Sequence, residues 1–147
     1  MHAEARVAGD VAWKSSSTYL HRSGGGGGDG KKEREDKADM PSGAVWNVPG
    51  DIGRRYAAVS GDRNPIHLHP LSAKLFGMKA PIAHGMWTKA RCLAALEGEL
   101  PDTYTVDVRF KLPIFLPSKV VFSTDTREFD VRAAKDGKPH LSGQVAH

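Results

Sequence analysis

The sequence predicts an α+β domain in which an antiparallel β-sheet wraps around one long central helix. Three observations predict it. Tyr104, Val106, Val108 and Phe110 alternate with Thr105, Asp107, Arg109 and Lys111, the period of a strand with one buried face. Upstream, the longest helical pattern in the chain opens at Pro81 and runs to Leu96. After it, strand candidates follow one another with no helix between them, so they pair as an antiparallel meander.

The elements follow in order. Ala5-Arg6-Val7, a turn at Gly9-Asp10 and a β-rich run from Val11 predict a hairpin within residues 1–22. Residues 23–41 hold five consecutive glycines and a mixed-charge cluster. They cannot bury enough apolar surface to order themselves, and are expected to form a flexible linker. The compact domain is expected over 42–147. It starts with a strand over 44–48 and a Pro49-Gly50 turn. Asp51 is placed to cap a helix over 52–59, with Ile52, Tyr56 and Val59 on one face. Pro70 begins a short helix over 70–76, closed by Gly77.

The long helix, expected to run about 14 residues or 21 Å, puts Met86, Ala90, Leu93 and Ala94 on one apolar face. Lys89 and Glu97 face solvent, and Gly98 with Pro101 stops it. Leu112-Pro113 and Leu116-Pro117 bound a bend. Strands over 119–127, 129–134 and 140–146 complete the sheet, with Asp136-Gly137 turning between the last two. The strand–turn–strand pattern over 131–145 is echoed loosely by the N-terminal hairpin. That hairpin is either the closing hairpin of an earlier half-domain or an extension that adds strands to the sheet edge.

Composition bounds the function. At 147 residues, 39% hydrophobic and 26% charged, the chain fits one soluble domain with a real core. No apolar run is long enough for a membrane span, and the N-terminus lacks a secretory pattern. Glu4 and Asp10 argue against an organelle transit peptide. The single cysteine, Cys92, excludes an internal disulfide and suits a reducing, cytoplasmic location. Inside a helical pattern it reads as a buried structural thiol. A net charge of +4 favours anionic partners such as phosphorylated cofactors or acidic carrier proteins. No basic run interleaves with aromatics, so no nucleic-acid partner is expected.

One stretch fits neither period. From Gly61 to Pro70 an acid, an amide and two imidazoles lie between a glycine and two prolines. Gly61 permits unusual backbone angles, while Pro65 and Pro70 fix φ and hold their predecessors out of the helical region. A stiff loop of this kind can hold Asp62, Asn64 and His67 in fixed relative positions, and such loops often carry chemistry.

Tyr56, Ser60, Gly61, Asp62, Asn64, Pro65, Ile66, His67 and Ala73 together resemble the signature of the MaoC-like, R-specific enoyl-CoA hydratases. Pro81-Ile82-Ala83-His84-Gly85-Met86 and Phe110-Lys111 with Pro113 are similar to further family segments. His69 and Met78 depart from it, standing where the family often has an acid and an aromatic. The resemblance covers about Val45 to Ala146 and implies a hot-dog fold. In some members two such halves are fused and only the second keeps the catalytic loop.

The resemblance implies a hydro-lyase that reversibly hydrates trans-2-enoyl-CoA to (R)-3-hydroxyacyl-CoA, with a carrier-protein thioester as a variant substrate. Asp62 would be the main base and His67 its partner in orienting a water and moving the proton. Asn64 would hold the loop or the water. The Gly85 N–H, at the positive end of the long helix, would meet the thioester oxygen. His84, Met86, Arg109 and Lys111 are candidates for substrate contact, and Trp87 and Phe115 for the acyl tunnel. No metal and no resident cofactor are implied; coenzyme A arrives with the substrate. Because the family builds its tunnel between two hot-dog units, a homodimer or a partner half is expected.

Blander readings stand beside these. Asp-x-Asn-Pro is often only a turn, and Gly85 is also a plausible helix-start residue. His67-x-His69 with Asp62 or His84 could pair on a metal, but no third ligand stands at motif spacing. Arg109, Lys111 and Lys119 fit either coenzyme A phosphates or strand-edge solubility. A rival function is a non-catalytic acyl-thioester-binding subunit that needs a partner half; thioesterase activity would not need this loop.

Overall fold

The computed structural model describes residues 1–19 and 41–146, in two compact units. The first is an antiparallel hairpin of β1 (His2–Val7) and β2 (Asp10–Ser16). Its turn lies one residue earlier than expected, at Ala8-Gly9, where both residues take positive φ. That twist matches the right-handed twist of paired strands. Trp13 lies opposite Ala5 and is half exposed, and nearly every hairpin residue is open to solvent. Apart from Pro41, the linker expected over 23–41 lies outside the described residues.

The second unit carries a five-stranded antiparallel sheet in the order β3-β5-β6-β7-β4. Its strands are β3 (Ala44–Val48), β4 (Thr105–Phe110), β5 (Ser118–Asp125), β6 (Glu128–Ala133) and β7 (Pro139–Ala146). The helices are α1 (Ile52–Ser60), α2 (Pro70–Leu75) and α3 (Gly85–Ala95). Of these, α1 and α3 enter the core with the sheet, while α2 packs on the 3-10 turn before it. This is the α+β arrangement the sequence predicts. The core joins Ile52, Cys92 and Leu96 to Val48, Val120, Phe122, Val131 and Leu141, so sheet and helices share one apolar interior. Trp46 stacks on Phe122 at 4.7 Å, and the Arg91 guanidinium covers its ring at 4.7 Å. At the end of β4, His140 Nδ1–H donates to the Leu112 carbonyl at 3.0 Å, and its buried Nε2 has no partner.

Three expectations need correction. Asp51 stands at the N-terminus of α1 but makes no capping bond, because its backbone is helical (φ −95°, ψ −1°) and not extended. The Ile52 N–H instead reaches the Pro49 carbonyl at 3.2 Å. Val59 is 86% exposed; the packed stripe of α1 ends at Ala57, and the last turn projects past the core.

The third correction concerns α3, which has 11 residues, because 81–84 are extended. Ile82 bridges Phe115, the Ala83 N–H reaches the Ile114 carbonyl and the Leu116 N–H reaches the Pro81 carbonyl. The buried row of α3 is Thr88 and Cys92, continued by His84 before it and Leu96 after it. Met86, Ala90 and Ala94 are exposed, about 200° around the helix from that row. Two polar residues sit on the packed face, so counting apolar side chains pointed to the wrong one.

Candidate active site

The loop between α1 and α2 is held by short-range polar bonds. Gly61 ends α1 in the left-handed region (φ 76°), its N–H on the Ala57 carbonyl. Ser60 Oγ donates to the Tyr56 carbonyl at 2.9 Å and accepts the Asp62 N–H at 3.2 Å. Asp62 Oδ1 accepts the Asn64 N–H at 3.1 Å. Asn64 Oδ1 in turn accepts the Ile66 N–H at 3.4 Å, capping a single 3-10 turn over Pro65–His67. Ser72 Oγ donates to the Pro65 and His69 carbonyls, and Arg54 donates to the Leu68 carbonyl at 3.1 Å. The Ser60, Asp62, Asn64 and Ser72 bonds are the local kind that Ser, Asn and Asp offer in place of regular structure; Arg54 adds a bond from across α1.

Gly53 brings α1 directly onto this loop. A Cβ there would overlap the His67 carbonyl oxygen, so only glycine lets helix and loop meet.

His67 and His84 are both buried, and their rings stack at 3.7 Å with 26° between planes. His67 Nδ1–H donates to the Ile82 carbonyl at 2.8 Å, which leaves Nε2 as the ring's open nitrogen. His84 Nε2–H donates to the Asp62 backbone carbonyl at 3.0 Å and lies 3.8 Å from Asp62 Oδ2. The Tyr56 ring covers His84 from α1 at 5.0 Å. Burial holds the His84 pKa below the ordinary imidazole value; its bond to the Asp62 carbonyl opposes this and nearby His67 adds to it. The Asp62 side chain is 54% exposed. An exposed carboxylate therefore sits beside a buried, oriented imidazole.

Ligand atoms of Asp62, His67 and His84 all lie within 4.8 Å of one another. They do not fit a metal as arranged. Stacked rings with centroids 3.7 Å apart and planes inclined at 26° do not aim two in-plane nitrogen lone pairs at one ion about 2 Å from each. His84 Nε2 is also committed to a carbonyl.

Gly85 is the first residue of α3, where N–H groups lack intrahelical partners. The Phe110 ring lies against it, 3.1 Å from where a Cβ would stand. The structure thus gathers Asp62, Asn64, His67, His84 and Gly85 within one neighbourhood, with Met86 half exposed beside them. Three of the residues expected to contact substrate are not on its open side. His84 is 3% exposed, beneath the pair and not on a surface open to substrate. Arg109 follows the opposite parity to Phe110 along β4, hence the sheet face away from Gly85; Lys111 lies past that strand's end. A cavity of about 290 Å³ opens beyond the other end of α3, between Leu96, Leu100 and Val145. Sequence reasoning missed the Ile82 carbonyl and Gly53, whose roles depend on backbone proximity.

A single antiparallel sheet laid on a long helix, with an Asp–His loop beside that helix's N-terminus, is the arrangement of a hot-dog fold. The chain belongs to the MaoC-like domain family, which matches residues 36–141. It is 39% identical over 146 residues to 3-hydroxyacyl-thioester dehydratase X of Mycobacterium tuberculosis, covering 95% of this chain and 52% of that protein. It is 34% identical over 88 residues to the (R)-specific enoyl-CoA hydratase of Aeromonas caviae, covering 57% of this chain and 62% of that one. The chain thus spans roughly half to three-fifths of the length of these relatives. A crystal structure of HtdX from Mycobacterium tuberculosis matches with TM-score 0.76 at 37% identity, over 97% of this chain and 58% of that one. The unliganded R-hydratase of Pseudomonas aeruginosa matches with TM-score 0.57 at 28% identity, over 69% and 74% of the two chains.

Proposed function

We propose that this chain is a hydro-lyase that interconverts trans-2-enoyl and (R)-3-hydroxyacyl thioesters of coenzyme A. The observation that carries the reading is the gathering of the exposed Asp62 carboxylate and His67, with ligand atoms within 4.8 Å of each other, where His67 Nδ1–H is fixed on the Ile82 carbonyl. In the hydration direction a water gives one proton to Asp62 while His67 Nε2 accepts a hydrogen bond from the O–H that remains. The water oxygen bonds to C3, and the C2=C3 electron pair moves toward the thioester carbonyl. The Gly85 N–H, at the positive end of α3, stabilises the oxygen on which that charge collects. The proton then passes from Asp62 to C2, completing addition of one water. Asn64 acts through its cap on the 3-10 turn that carries His67.

The family's relatives support this reading: one is a thioester dehydratase and another an (R)-specific hydratase. The chain's own departures, at His69 and Met78, leave Asp62, His67 and Gly85 in place. No resident metal or cofactor enters these steps. Exposure of Asp62 and Met86 supports closure of the site by a second hot-dog unit, in a homodimer or with a partner half. The HtdX match over 97% of the chain supports reading the β1–β2 hairpin as the closing hairpin of a preceding half. No helix among the described residues is long and apolar enough to cross a membrane, and a chain with one buried cysteine is compatible with the cytoplasmic location we propose.

The test follows the loss of enoyl absorbance of crotonyl-CoA. Wild type hydrates it, and Asp62→Asn loses about 10²–10⁴-fold in rate. An inactive wild type that still binds the thioester would make the chain a non-catalytic thioester-binding subunit.

A further inference from the structure

His84 touches every part of the site without facing solvent. Its Nε2–H holds the Asp62 peptide, its ring stacks on His67, and the Tyr56 ring of α1 lies tilted against it at 5.0 Å. It also stands immediately before Gly85, with extended backbone (φ −63°, ψ 134°), as the residue from which α3 starts. The Thr88 N–H and hydroxyl both return to the His84 carbonyl, at 3.2 and 3.3 Å, which ties the residue to the first turn of the helix. Its Nδ1 is buried with no partner. A buried polar atom without a partner is costly, so something must favour this ring over an apolar one. The bond from Nε2 to a backbone carbonyl 22 residues away offers that reason. The Ile66–Ile82 and His67–Ile82 bonds hold the far side of the loop two residues earlier, and this nitrogen ties the Asp62 peptide to the residue from which the helix starts.

We propose that His84 is a positioning residue: its Nε2–H locks the loop bearing Asp62 and His67 onto the start of α3, so that they and the Gly85 amide form one rigid unit. Its catalytic consequence rests on the hydro-lyase reading, whereas its geometry does not. The two ends of the reaction, proton transfer at the water and charge on the thioester oxygen, lie on separate elements. A fixed distance between them is what places substrate atoms correctly, and misplacement by about 1 Å commonly costs on the order of 10²-fold in rate.

Two substitutions separate the donor from the ring. His84→Phe keeps an aromatic under His67 but has no N–H; His84→Gln loses the ring but can present an amide N–H near the Nε2 position. In His84→Phe, kcat for crotonyl-CoA falls about 10²-fold with KM within about twofold, and His84→Gln recovers to within about fivefold of wild type. Amide hydrogen exchange at Asn64 and His67 accelerates in His84→Phe and stays near wild type in His84→Gln. Long-range ¹H–¹⁵N spectra of the wild type show His84 as the neutral Nε2–H tautomer and His67 as the Nδ1–H tautomer. A wild-type rate in His84→Phe, a His84→Gln enzyme as slow as His84→Phe, or His84 protonated on Nδ1 would each overturn the proposal. Should wild type show no hydration, the hydro-lyase reading fails alone. Tautomer and exchange then decide the positioning role, and exchange unchanged in His84→Phe overturns it. If His84→Phe does not fold, the wild-type tautomer and the behaviour of His84→Gln decide.

Discussion

Gly53→Ala is the sharpest test of how α1 meets the loop. In an exposed helix interior this change stabilises by about 0.5–1 kcal/mol, because glycine loses more backbone freedom on folding. Here the sign reverses. The new Cβ would stand 2.9 Å from the His67 carbonyl carbon and inside the envelope of its oxygen, where ordinary contacts begin at 3.4 Å. The neighbour is backbone, so no side-chain rotation relieves it, and helix and loop must separate by roughly 1 Å or more. Overpacking of that kind costs about 1–3 kcal/mol, against a propensity gain of at most about 1 kcal/mol. A net loss of about 1–2 kcal/mol in urea unfolding is expected. The displaced group is the His67 peptide, so hydration of crotonyl-CoA falls by about 10²-fold as well. A Gly53→Ala protein with raised stability and wild-type kcat would refute the contact.

Two further outcomes follow from ionisation. His84 and His140 are both held below the ordinary histidine value, chiefly by burial, with bonds to the Asp62 and Leu112 carbonyls opposing. The native protein then binds fewer protons than the unfolded chain, so this stability is complete above about pH 6.5 and is lost as pH falls below it. The slope is up to about 1.4 kcal/mol per pH unit for each proton. Urea midpoints between pH 7.5 and 5.5 should fall, and less steeply in His140→Asn; a flat profile contradicts the assignment. Cys92 is fully buried and its thiol is pushed up to about 12, chiefly by burial. The native protein should resist a thiol reagent at pH 8 and expose the thiol only in denaturant. Rapid native labelling at Cys92 would contradict the packing.

The sequence carried the loop better than it carried the helix. Asp62, Asn64 and His67 lie within six residues and are organised by bonds between near neighbours, so proline, glycine and Asx chemistry made their arrangement readable. The strands were equally open, because period-two alternation from Tyr104 to Phe110 survives in Val106 and Val108 turned inward. On α3 the same logic failed. The packed row includes His84 and Thr88, and it is held by polar bonds that hydrophobic periodicity does not count. Arg109 was open to two readings, phosphate contact or strand-edge solubility, and its charge alone did not choose between them; its parity on β4 sets it on the face away from Gly85. The Ile82 carbonyl and the Gly53 contact are backbone approaches across 15 and 14 positions, and no side-chain pattern signals them.

Between Gly61 and Ala80 only His67 and Ala73 are buried, while the core is assembled from the strands and the two longer helices. On the hydro-lyase reading, folding and chemistry are therefore written largely in different parts of the chain. Drift within those twenty positions can alter or extinguish turnover while the scaffold keeps its shape. A lineage built on this plan can shed its reaction and survive as a binding module without first becoming unstable.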